Sequence, residues 1–392
     1  MSEIKVNSIK GVGASAAAIT VTNTDGTCSA NITNNLSNRN VVTNGAMLIN
    51  QRASSYTSTG EEYTLDRFEH RVGSSFTFDT TTTQDSSAPA GFSKSLKITP
   101  DSTQTPTGGH NAMIGQLIEA DNLVRFAHGT SSAKKAVLSF YAKSASQNNG
   151  HQYSVQLTKL ASSGQFYYQN RSFTVTSSWQ RFTVAFSADT SNDITTGNGE
   201  GFRILFHLAA GSSDIASEKS TWTAANGNFA VTGQSNFMDN TSNEFYLTGV
   251  QLEASDSDVA TDFEHRSIGK ELSLCQRYFY KTYIQPTNVG TASQSADIIA
   301  KRNEDYSSGR TDQVFNAQYA CPMRATPTLT FYSYAGTSGK FTNANADFSS
   351  ASEGNVAGTV FHGRKRISHI SLGDSVGAAK FCFFHFTAEA EL

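Results

Sequence analysis

The sequence has few charged residues and no surplus of positive charge. Lys, Arg, Asp and Glu together make up 16% of its 392 residues, against about 25% in an average globular protein. The net charge is −3 and the isoelectric point is about 6.3, whereas proteins that neutralise nucleic-acid phosphates usually carry a marked excess of Lys and Arg. The composition therefore argues against a primary nucleic-acid function, and we expect no nucleic-acid partner.

Paired cysteines and long apolar runs are also missing. Cys28, Cys275, Cys321 and Cys382 lie far apart and form no Cys-X-X-Cys pair, which favours free thiols over zinc clusters or a disulfide framework. No run approaches the roughly 20 apolar residues that span a bilayer, and the opening MSEIKVNSIKGVG lacks the apolar core of a signal peptide. We therefore expect a soluble protein that is made in a cytoplasm and does not insert into a membrane.

Aromatic residues are absent from the first 43 positions. This segment is rich in Asn, Thr, Ser and Ala and has only short alternating pieces, at Ile4–Val6 and Ile19–Val21. Such a composition buries too little apolar surface to fold alone. The segment is therefore either disordered or ordered by identical neighbours or a larger scaffold, and the sequence favours the second interpretation.

From Met47 onward the chain contains a series of alternating strands. Ser and Thr supply about a quarter of the residues, which suits sheets whose outer faces carry hydroxyl groups rather than charges. Period-2 alternation broken by turn residues predicts half-buried antiparallel strands. These segments are residues 75–83, 136–144, 153–160, 171–188 (two strands joined at Ser177-Ser178), 201–211 and 244–254. At least seven strands in about 200 residues is the number expected of a β-sandwich.

Two helices are predicted among the strands. The first, GQLIEADNLVRFAHG (115–129), has an apolar stripe formed by Leu117, Ile118, Val124 and Phe126. The second, SIGKELSLCQRYFYK (267–281), begins at Ser267, which can cap it, and has apolar residues at helical spacing. It lies between two strand-rich regions and so marks a boundary.

The pattern predicts an all-β fold in four parts. Residues 1–43 form an extended segment, residues 44–266 a β-sandwich, residues 267–283 a helical connector and residues 284–392 a second, sandwich-like β-domain. Strands at 326–334, 357–363 and 378–392 belong to the last part.

Several segments resemble bacteriophage tail fibre proteins and related prophage proteins, in the same order along the chain. They are NRNVVTNGAMLINQR (38–52), TLDRFEHR (64–71), GQLIEADNLVRFAHGTSSAKKAVLSFYAKS (115–144), GVQLEASDSDVATDFEHRSIGKELSLCQRYFYK (249–281), MRATPTLTFYS (323–333) and FHFTAEAEL (384–392). The opening MSEIKVNSIKG resembles the virion-attachment ends of such fibres more loosely. The resemblance covers most of the chain beyond Asn38.

The middle region also resembles the jelly roll of carbohydrate-binding modules. Asn44-Gly45 opens a first strand, and GVQLE (249–253) occupies the place of the final strand. Many soluble sugar-binding modules carry an Asp pair before that strand, whereas this chain has Thr248-Gly249, which does not favour a structural calcium site.

These resemblances imply a non-enzymatic receptor-binding protein of a virion. The implied protein is a homotrimer, assembled in the bacterial host cytoplasm, that attaches to other virion proteins through residues 1–43. It would present its β-domains to host cell-surface polysaccharide or lipopolysaccharide, and it would need no cofactor. Fold similarity alone does not establish sugar binding.

The sequence FEHR occurs twice, at 68–71 and at 263–266. A Glu-His pair could bind a metal or act in acid–base catalysis, but adjacent residues on a strand face opposite sides. No further His or Cys follows at ligand spacing, so the sequence favours surface ion pairing and predicts no metal site and no catalytic residue. A polysaccharide-degrading tail spike would need a carboxylate pair beside a long groove, and the chain shows no solenoid repeat that builds one.

Sugar binding requires an aromatic face that stacks on a pyranose, flanked by groups that fix its orientation. The candidates are Trp222, in a segment between strands, and the trio Phe166, Tyr167 and Tyr168. Trp179 is expected to plug the core or an edge. Tyr278, Tyr280 and Tyr283 are expected to pack against the following domain.

Two further questions are left open by the sequence. One is whether the chain recognises glycans or is a purely structural virion protein, such as a head fibre or tail connector. The other is which domain contacts the host. Residues 284–392 are favoured because segment 333–355 is predicted to be a long polar loop, while Trp222 in the middle domain is the competing site.

Overall fold

The computed structural model describes residues 8–9, 19–21, 28–30, 37–225, 227–285, 287–294, 298–303, 310–347, 349–378 and 380–392. Three short N-terminal strands, β1 (Ser8–Ile9), β2 (Ile19–Val21) and β3 (Cys28–Ala30), pair antiparallel in that order and form a separate sheet. The predicted piece at Ile19–Val21 is thus a strand, whereas Ile4–Val6 lies outside the described residues.

Most strands of the chain belong to the middle region. Their bounds are β4 (Ser55–Ser58), β5 (Glu62–Tyr63), β6 (Glu69–Gly73), β7 (Thr80–Asp85), β8 (Ser95–Pro100), β9 (Asn111–Glu119), β10 (Lys135–Ser144), β11 (Gln152–Leu160), β12 (Phe166–Thr174), β13 (Gln180–Phe186), β14 (Glu200–Ala210), β15 (Ile215–Ala216), β16 (Thr223–Ala224), β17 (Ala230–Val231) and β18 (Phe245–Ser255). One sheet has the order β13-β10-β18-β8-β7-β4, and the other has the order β16-β12-β11-β14-β9-β6-β5. Strands β15 and β17 pair parallel to each other.

The two large sheets enclose one hydrophobic core. Alternate residues of β10 and β11, such as Leu138, Phe140, Val155 and Leu157, are fully buried in it together with Phe206 of β14. Burying such side chains stabilises the fold by about 1.5–3 kcal/mol each. The middle region is therefore a two-layer β-sandwich, and the predicted all-β class is confirmed.

The helix predicted at 115–129 is wrong. Residues Asn111–Glu119 form strand β9, and only Ala120–Phe126 turns, as a 3₁₀ helix. Strand β9 lies between β14 and β6, and all nine of its residues are buried. A strand covered on both faces loses the alternation that would identify it, so its apolar residues matched a helical stripe by chance.

The predicted pair of strands in 171–188 is present, and the turn lies where Ser177-Ser178 indicates. However, β12 belongs to the seven-stranded sheet and β13 to the six-stranded sheet. The turn therefore carries the chain from one layer of the sandwich to the other. Two further 3₁₀ turns, Ser212–Asp214 and Phe237–Asp239, follow in the connections after β14 and β17.

The connector begins with a short helix, α1 (Ile268–Gln276). The Ser267 side chain accepts a hydrogen bond from the backbone N–H of Lys270 at 3.4 Å, which caps the helix. Beyond α1 the chain turns into strand β19 (Phe279–Lys281), so only the first part of the predicted helical segment is helical.

The C-terminal region is built around its last strand, which pairs with four others. Its elements after β19 are β20 (Ile299–Arg302), β21 (Arg310–Gln318), β22 (Thr328–Tyr332), β23 (Lys340–Ala344), β24 (Ser352–His362), β25 (Arg366–Val376) and β26 (Phe381–Glu389). The first half of β26 pairs with β20 and β23, and its second half pairs with β19 and β22. Strands β24, β25 and β21 extend the sheet beyond β23. A second core of buried side chains, including Phe341 and Phe386, lies within this region.

The long polar loop predicted at 333–355 is wrong. Strand β23 crosses the middle of this segment and pairs with both β24 and β26. Phe341 is fully buried, while the small polar residues around it occupy the turns on either side. The segment holds only two phenylalanines, Phe341 and Phe348, and these are seven residues apart, so no alternation pattern reveals a strand.

The segments that carry the tail-fibre resemblance meet at the junction of the two β-regions. The Gln51 side chain donates to the backbone oxygen of Phe279 at 2.8 Å, and Arg52 forms an ion pair of 2.9 Å with Glu389. The fully buried Arg67 binds Glu391, and its guanidinium lies 3.6 Å from the centre of the Tyr278 ring. A buried charge is tolerated only when it is paired, so these segments are required where the two regions join.

The packed middle region also begins earlier than the predicted boundary at residue 44. Val42 is fully buried in the sandwich core, and the backbone N–H groups of Asn38 and Asn40 donate to the Glu264 carboxylate at 2.5 and 2.9 Å. Residues 38–43 therefore pack on the sandwich instead of continuing the extended segment.

Candidate functional site

Two of the predicted aromatic residues meet at the edge of the seven-stranded sheet. Strand β16, which follows Trp222 directly, pairs with β12 so that Ala224 lies opposite Tyr167. The ammonium group of Lys159, on the neighbouring strand β11, lies 4.9 Å from the Trp222 ring centre and 5.6 Å from the Tyr167 ring centre. Lys159 is paired in register with Tyr167, so both side chains leave the sheet on the same face. We call Lys159, Tyr167 and Trp222 the edge cluster.

The Trp222 indole is half-buried and packs against the sandwich core. Its N–H donates to the backbone oxygen of Ser187 at 2.8 Å, and its ring lies parallel to Phe202 at 6.2 Å and edge-on to His128 at 5.5 Å. These contacts fix the ring. Tyr167, also half-buried, is held only at its backbone and by the Lys159 contact among the described interactions.

Lys159 of the edge cluster also forms a buried ion pair. Lys159 has a fully buried side chain and donates to the Asp189 carboxylate and to the backbone oxygen of Asn192, both at 2.6 Å. Burial lowers the pKa of Lys159. Burial would raise the pKa of Asp189, but hydrogen bonds from Lys159, Ser191 and Asn192 outweigh it and hold that pKa at about 2.

This electrostatic arrangement suits binding better than acid–base catalysis. A carboxylate with a pKa of about 2 is a permanent anion and a weak base at neutral pH. The neighbouring His128 has a pKa of about 4, lowered by burial and by the charge of Lys159, so it is uncharged at neutral pH and a weak base. What the edge cluster offers to a ligand is a partly exposed aromatic surface, Tyr167 beside Trp222, which a buried ion pair holds in place.

The trio Phe166, Tyr167 and Tyr168 does not form one surface. Successive residues of a strand face opposite sides, so Phe166 and Tyr168 lie on the face opposite to Tyr167. Tyr168 is buried against Phe229 at 5.0 Å, and the Arg203 guanidinium lies 5.1 Å from the Phe166 ring centre. Of the four predicted site residues, the structure therefore brings together only Tyr167 and Trp222.

Lys159 and its partner Asp189 were not predicted from the sequence. Lys159 is the penultimate residue of strand β11, in a position that the period-2 pattern assigns to the core. A lysine at a core position was the signal available in the sequence, because such a residue needs a buried counterion. Its partner Asp189 lies 30 residues further along the chain, in a connection, and no spacing rule identifies it.

Trp179 packs as a structural residue, as expected. Its ring meets Tyr246 edge-on at 6.1 Å, and the Lys143 ammonium lies 5.5 Å from its centre. The Trp179 N–H is buried and has no partner among the described residues. Tyr278 and Tyr283 are buried beside the C-terminal region, as predicted, and Tyr280 packs against Tyr319 and Phe386.

The FEHR segments have structural roles, but the interpretation as surface ion pairs is wrong for the first. Glu69 and His70 are buried there, because β6 lies inside the seven-stranded sheet, and Glu69 binds Arg71 at 2.9 Å. In the second segment Glu264 binds backbone N–H groups, and Arg266 binds Glu271 at 3.4 Å. No cluster of three or more potential metal-binding side chains occurs within the described ranges.

Two other expectations concern cysteines and membranes. Cys275, Cys321 and Cys382 are free thiols, while the side chain of Cys28 lies outside the described part of the structure. In the portion of the chain that is described, no helix combines the length and apolarity needed to cross a bilayer.

Thr248-Gly249 lies within β18 at an irregularity in its pairing with β10, and not ahead of the strand as the resemblance to sugar-binding modules implied.

The comparisons with family models and with curated proteins do not place this chain in a family. No family model matches the chain, and no curated protein matches it. Among solved structures, the chain is similar to the enzymatically active domain of tailspike protein 4 of bacteriophage CBA120, with 15% identity and a TM-score of 0.29 over 57% of this chain and 23% of that one.

Two smaller proteins align over their whole length. A putative sugar binding protein from Bacteroides thetaiotaomicron has 13% identity and a TM-score of 0.31 over 55% of this chain and 100% of that chain. The family 11 carbohydrate-binding module of the Clostridium thermocellum cellulase Lic26A-Cel5E has 14% identity and a TM-score of 0.27, covering 54% of this chain and 99% of its own. With TM-scores near 0.3, none of these alignments assigns a ligand or an activity to this chain.

Proposed function

We propose that this chain is a non-enzymatic receptor-binding protein of a bacteriophage virion, of the tail fibre class, which adheres to glycans on the host surface. The observation that carries the proposal is the edge cluster. It presents the half-exposed Tyr167 beside the fixed Trp222 ring and the buried Lys159–Asp189 pair. The apolar face of a sugar ring stacks on an aromatic surface of this kind, and the buried pair keeps that surface in place.

The rest of the proposal concerns assembly. The chain is a homotrimer that attaches to other virion proteins through the segment that precedes residue 38, and the sandwich and C-terminal regions face outward. Several weak sites on one particle then act together, since linking sites raises apparent affinity by about 10² to 10⁴ without new contacts. Individual sites of about millimolar strength are therefore sufficient.

The experiment is a binding measurement on the full chain. Purified lipopolysaccharides and capsular polysaccharides from a panel of bacteria are immobilised, and binding of the wild type is compared with that of Tyr167→Ala. Stacking on an aromatic ring contributes about 0.5–1.5 kcal/mol, so the substitution should weaken binding by up to about tenfold while leaving the thermal unfolding curve intact.

Tyr168→Ala is the matched control, because it removes the same side chain from the next position on the opposite face. It should reduce stability, since Tyr168 is buried, but the folded protein should bind normally. Trp222→Phe provides a second test that keeps an aromatic ring but makes the aromatic surface smaller and removes the indole N–H, which donates to the Ser187 backbone oxygen. Equal binding by wild type and all three variants would eliminate the edge cluster as the site.

A purely structural role is the competing function. The observation in its favour is that the segments resembling tail fibres lie at the junction between the two β-regions, as packing residues. If the wild-type chain binds no polysaccharide of the panel but is still incorporated into particles, the structural role is correct.

A further inference from the structure

The turn between β24 and β25 carries three consecutive cations. Arg364, Lys365 and Arg366 are all exposed, and the turn is closed by a hydrogen bond of 3.0 Å from the Gly363 N–H to the Arg366 oxygen. We call residues 361–366 the basic hairpin.

The basic hairpin is held rigidly by its neighbours. The Met323 N–H donates to the Arg364 oxygen at 2.7 Å, and the Tyr319 N–H donates to the Lys365 oxygen at 3.0 Å. The Arg364 side chain donates back to the Met323 oxygen at 2.8 Å. A ligand that binds here therefore meets a preformed surface and does not have to order a loop.

None of the described residues neutralises the positive charge of the hairpin. Among the described residues, no carboxylate lies within ion-pair distance of Arg364, Lys365 or Arg366, although most other buried or half-buried arginines of the chain have such a partner. Arg366 instead reaches the neutral side chain of Asn316 at 3.3 Å. Three adjacent cations with no counterion in the described part of the chain produce a local positive potential that attracts anions, although the net charge of the chain is −3.

An exposed aromatic ring lies beside these cations. Phe361 is 62% exposed and meets the His369 ring at 5.5 Å. A cleft of about 490 Å³ is lined by residues 360–366 together with Ser368. A second cleft of about the same volume shares Val360 and His362 and continues towards Leu329 and Phe331. The surface is therefore elongated, as a polymer chain requires.

We propose that the basic hairpin binds an anionic polysaccharide, with Lys365 and Arg366 on its phosphate or carboxylate groups and Phe361 against a sugar ring. Exposed guanidinium and ammonium groups recognise both kinds of anion, and an aromatic ring stacks on the apolar face of a pyranose. This inference rests on the proposed function and specifies its ligand as an acidic host-surface glycan.

The test measures binding of the full chain to four immobilised probes. They are a phosphorylated lipopolysaccharide, polygalacturonate as a uronate polymer without phosphate, dextran as a neutral glycan, and double-stranded DNA. The variant Lys365→Gln/Arg366→Gln removes two charges from the turn and leaves Arg364 with its Met323 contact. Lys134→Gln/Lys135→Gln is the matched control, because it removes two adjacent, partly exposed lysines from the sandwich region.

The expected result is binding to lipopolysaccharide, polygalacturonate or both, at least tenfold weaker in the hairpin variant and changed less than twofold in the control. Phe361→Ser should weaken binding severalfold, and added salt should weaken it further. Preference between the two acidic glycans identifies phosphate or uronate as the anion.

Three results would overturn the inference. They are unchanged binding by the hairpin variant, equal loss in the control variant, and DNA binding as tight as binding to the acidic glycans. If polysaccharides bind but the hairpin variant behaves as wild type, this inference fails while the proposed function stands. If no polysaccharide binds, the proposed function fails as well.

Discussion

At the scale of single residues, the main feature of this protein is its set of buried polar side chains. Many of them face a partner that is remote in sequence, such as Lys159 with Asp189 or Arg67 with Glu391. Breaking a buried pair by removing one partner costs about 3–5 kcal/mol, so each of these contacts restricts which residues the sequence can carry. Charged residues are scarce, but several of those present are structural.

His207 is a buried titratable residue whose ring nitrogens have no partner among the described residues. Burial lowers its pKa to about 3, while in the unfolded chain a histidine has a pKa of about 6.5. Between these values the unfolded chain binds a proton that the folded chain does not. Stability is therefore fully present above about pH 6.5 and is lost as the pH falls towards 3.

We predict that His207→Leu reduces the sensitivity of the protein to acid. At pH 5 the neutral, buried His207 costs the wild type about 2 kcal/mol of unfolding free energy relative to neutral pH, and the variant avoids this cost. Urea unfolding of both proteins at pH 7.5 and pH 5 measures it. An equal loss of stability in the two proteins would contradict the assignment of a neutral, buried imidazole.

At the scale of elements, the positions of the strands are what the sequence predicts best. Strands β10, β11, β14 and β18 were predicted to within a residue or two, although most of their residues are buried. Strands β9 and β23 were missed for different reasons. The apolar residues of β9 and of the 3₁₀ turn that follows it fall together at helical spacing, whereas β23 has only one large apolar residue, Phe341.

Gly115 on β9 provides a test of the close packing between strands. A Cβ atom added there would lie 2.1 Å from the Ile204 backbone oxygen on β14, whereas a Cβ at Gly60 would meet nothing within 4 Å. We predict that Gly115→Ala lowers the free energy of unfolding by about 2 kcal/mol or more, since overpacking typically costs about 1–3 kcal/mol. Gly60→Ala should change it by less than about 0.5 kcal/mol.

Chemical denaturation of the two variants gives the comparison directly. Because the same atoms are added in both, differences in side-chain chemistry cancel. If Gly115→Ala is as stable as Gly60→Ala, then β9 does not pass β14 as closely as described, and the order of strands in the seven-stranded sheet would need revision.

At the scale of the molecule, the sequence located part of the candidate site but not its chemistry. Trp222 and Tyr167 were found because aromatic residues in polar surroundings are conspicuous in a sequence. Their relation depends on the pairing of β12 with β16, more than 50 residues apart, and on a lysine that looks like any other. The resemblance to tail fibres likewise pointed to segments that prove to be packing residues at the junction.

The exposed apolar residues of the whole molecule bear on oligomerisation. Ile268 at the start of α1 is 66% exposed and Val124 in the 3₁₀ helix is 72% exposed. Lys270, two residues after Ile268, and Arg125, which follows Val124, line one cleft. Asn38, where the chain enters the sandwich, lines the same cleft. Exposed apolar side chains near the N-terminal segment are consistent with contacts between identical chains there.

We therefore expect the protein to be a trimer in solution. Light scattering coupled to size-exclusion chromatography at micromolar concentration should give about three times the chain mass of 42.2 kDa. Ile268→Glu should shift the protein towards the monomer, whereas Ile284→Glu, a charge placed on an exposed apolar residue beyond α1, should not. A monomeric wild type under these conditions would remove the trimer from the proposal.

Glycan adhesion by the intact chain is the central claim, and direct binding of the wild-type protein to purified bacterial surface polysaccharides tests it most simply. We expect saturable binding to at least one lipopolysaccharide or capsular polysaccharide, without release of shorter sugar fragments during prolonged incubation. Absence of binding across the panel, or steady shortening of a bound polysaccharide, would contradict it.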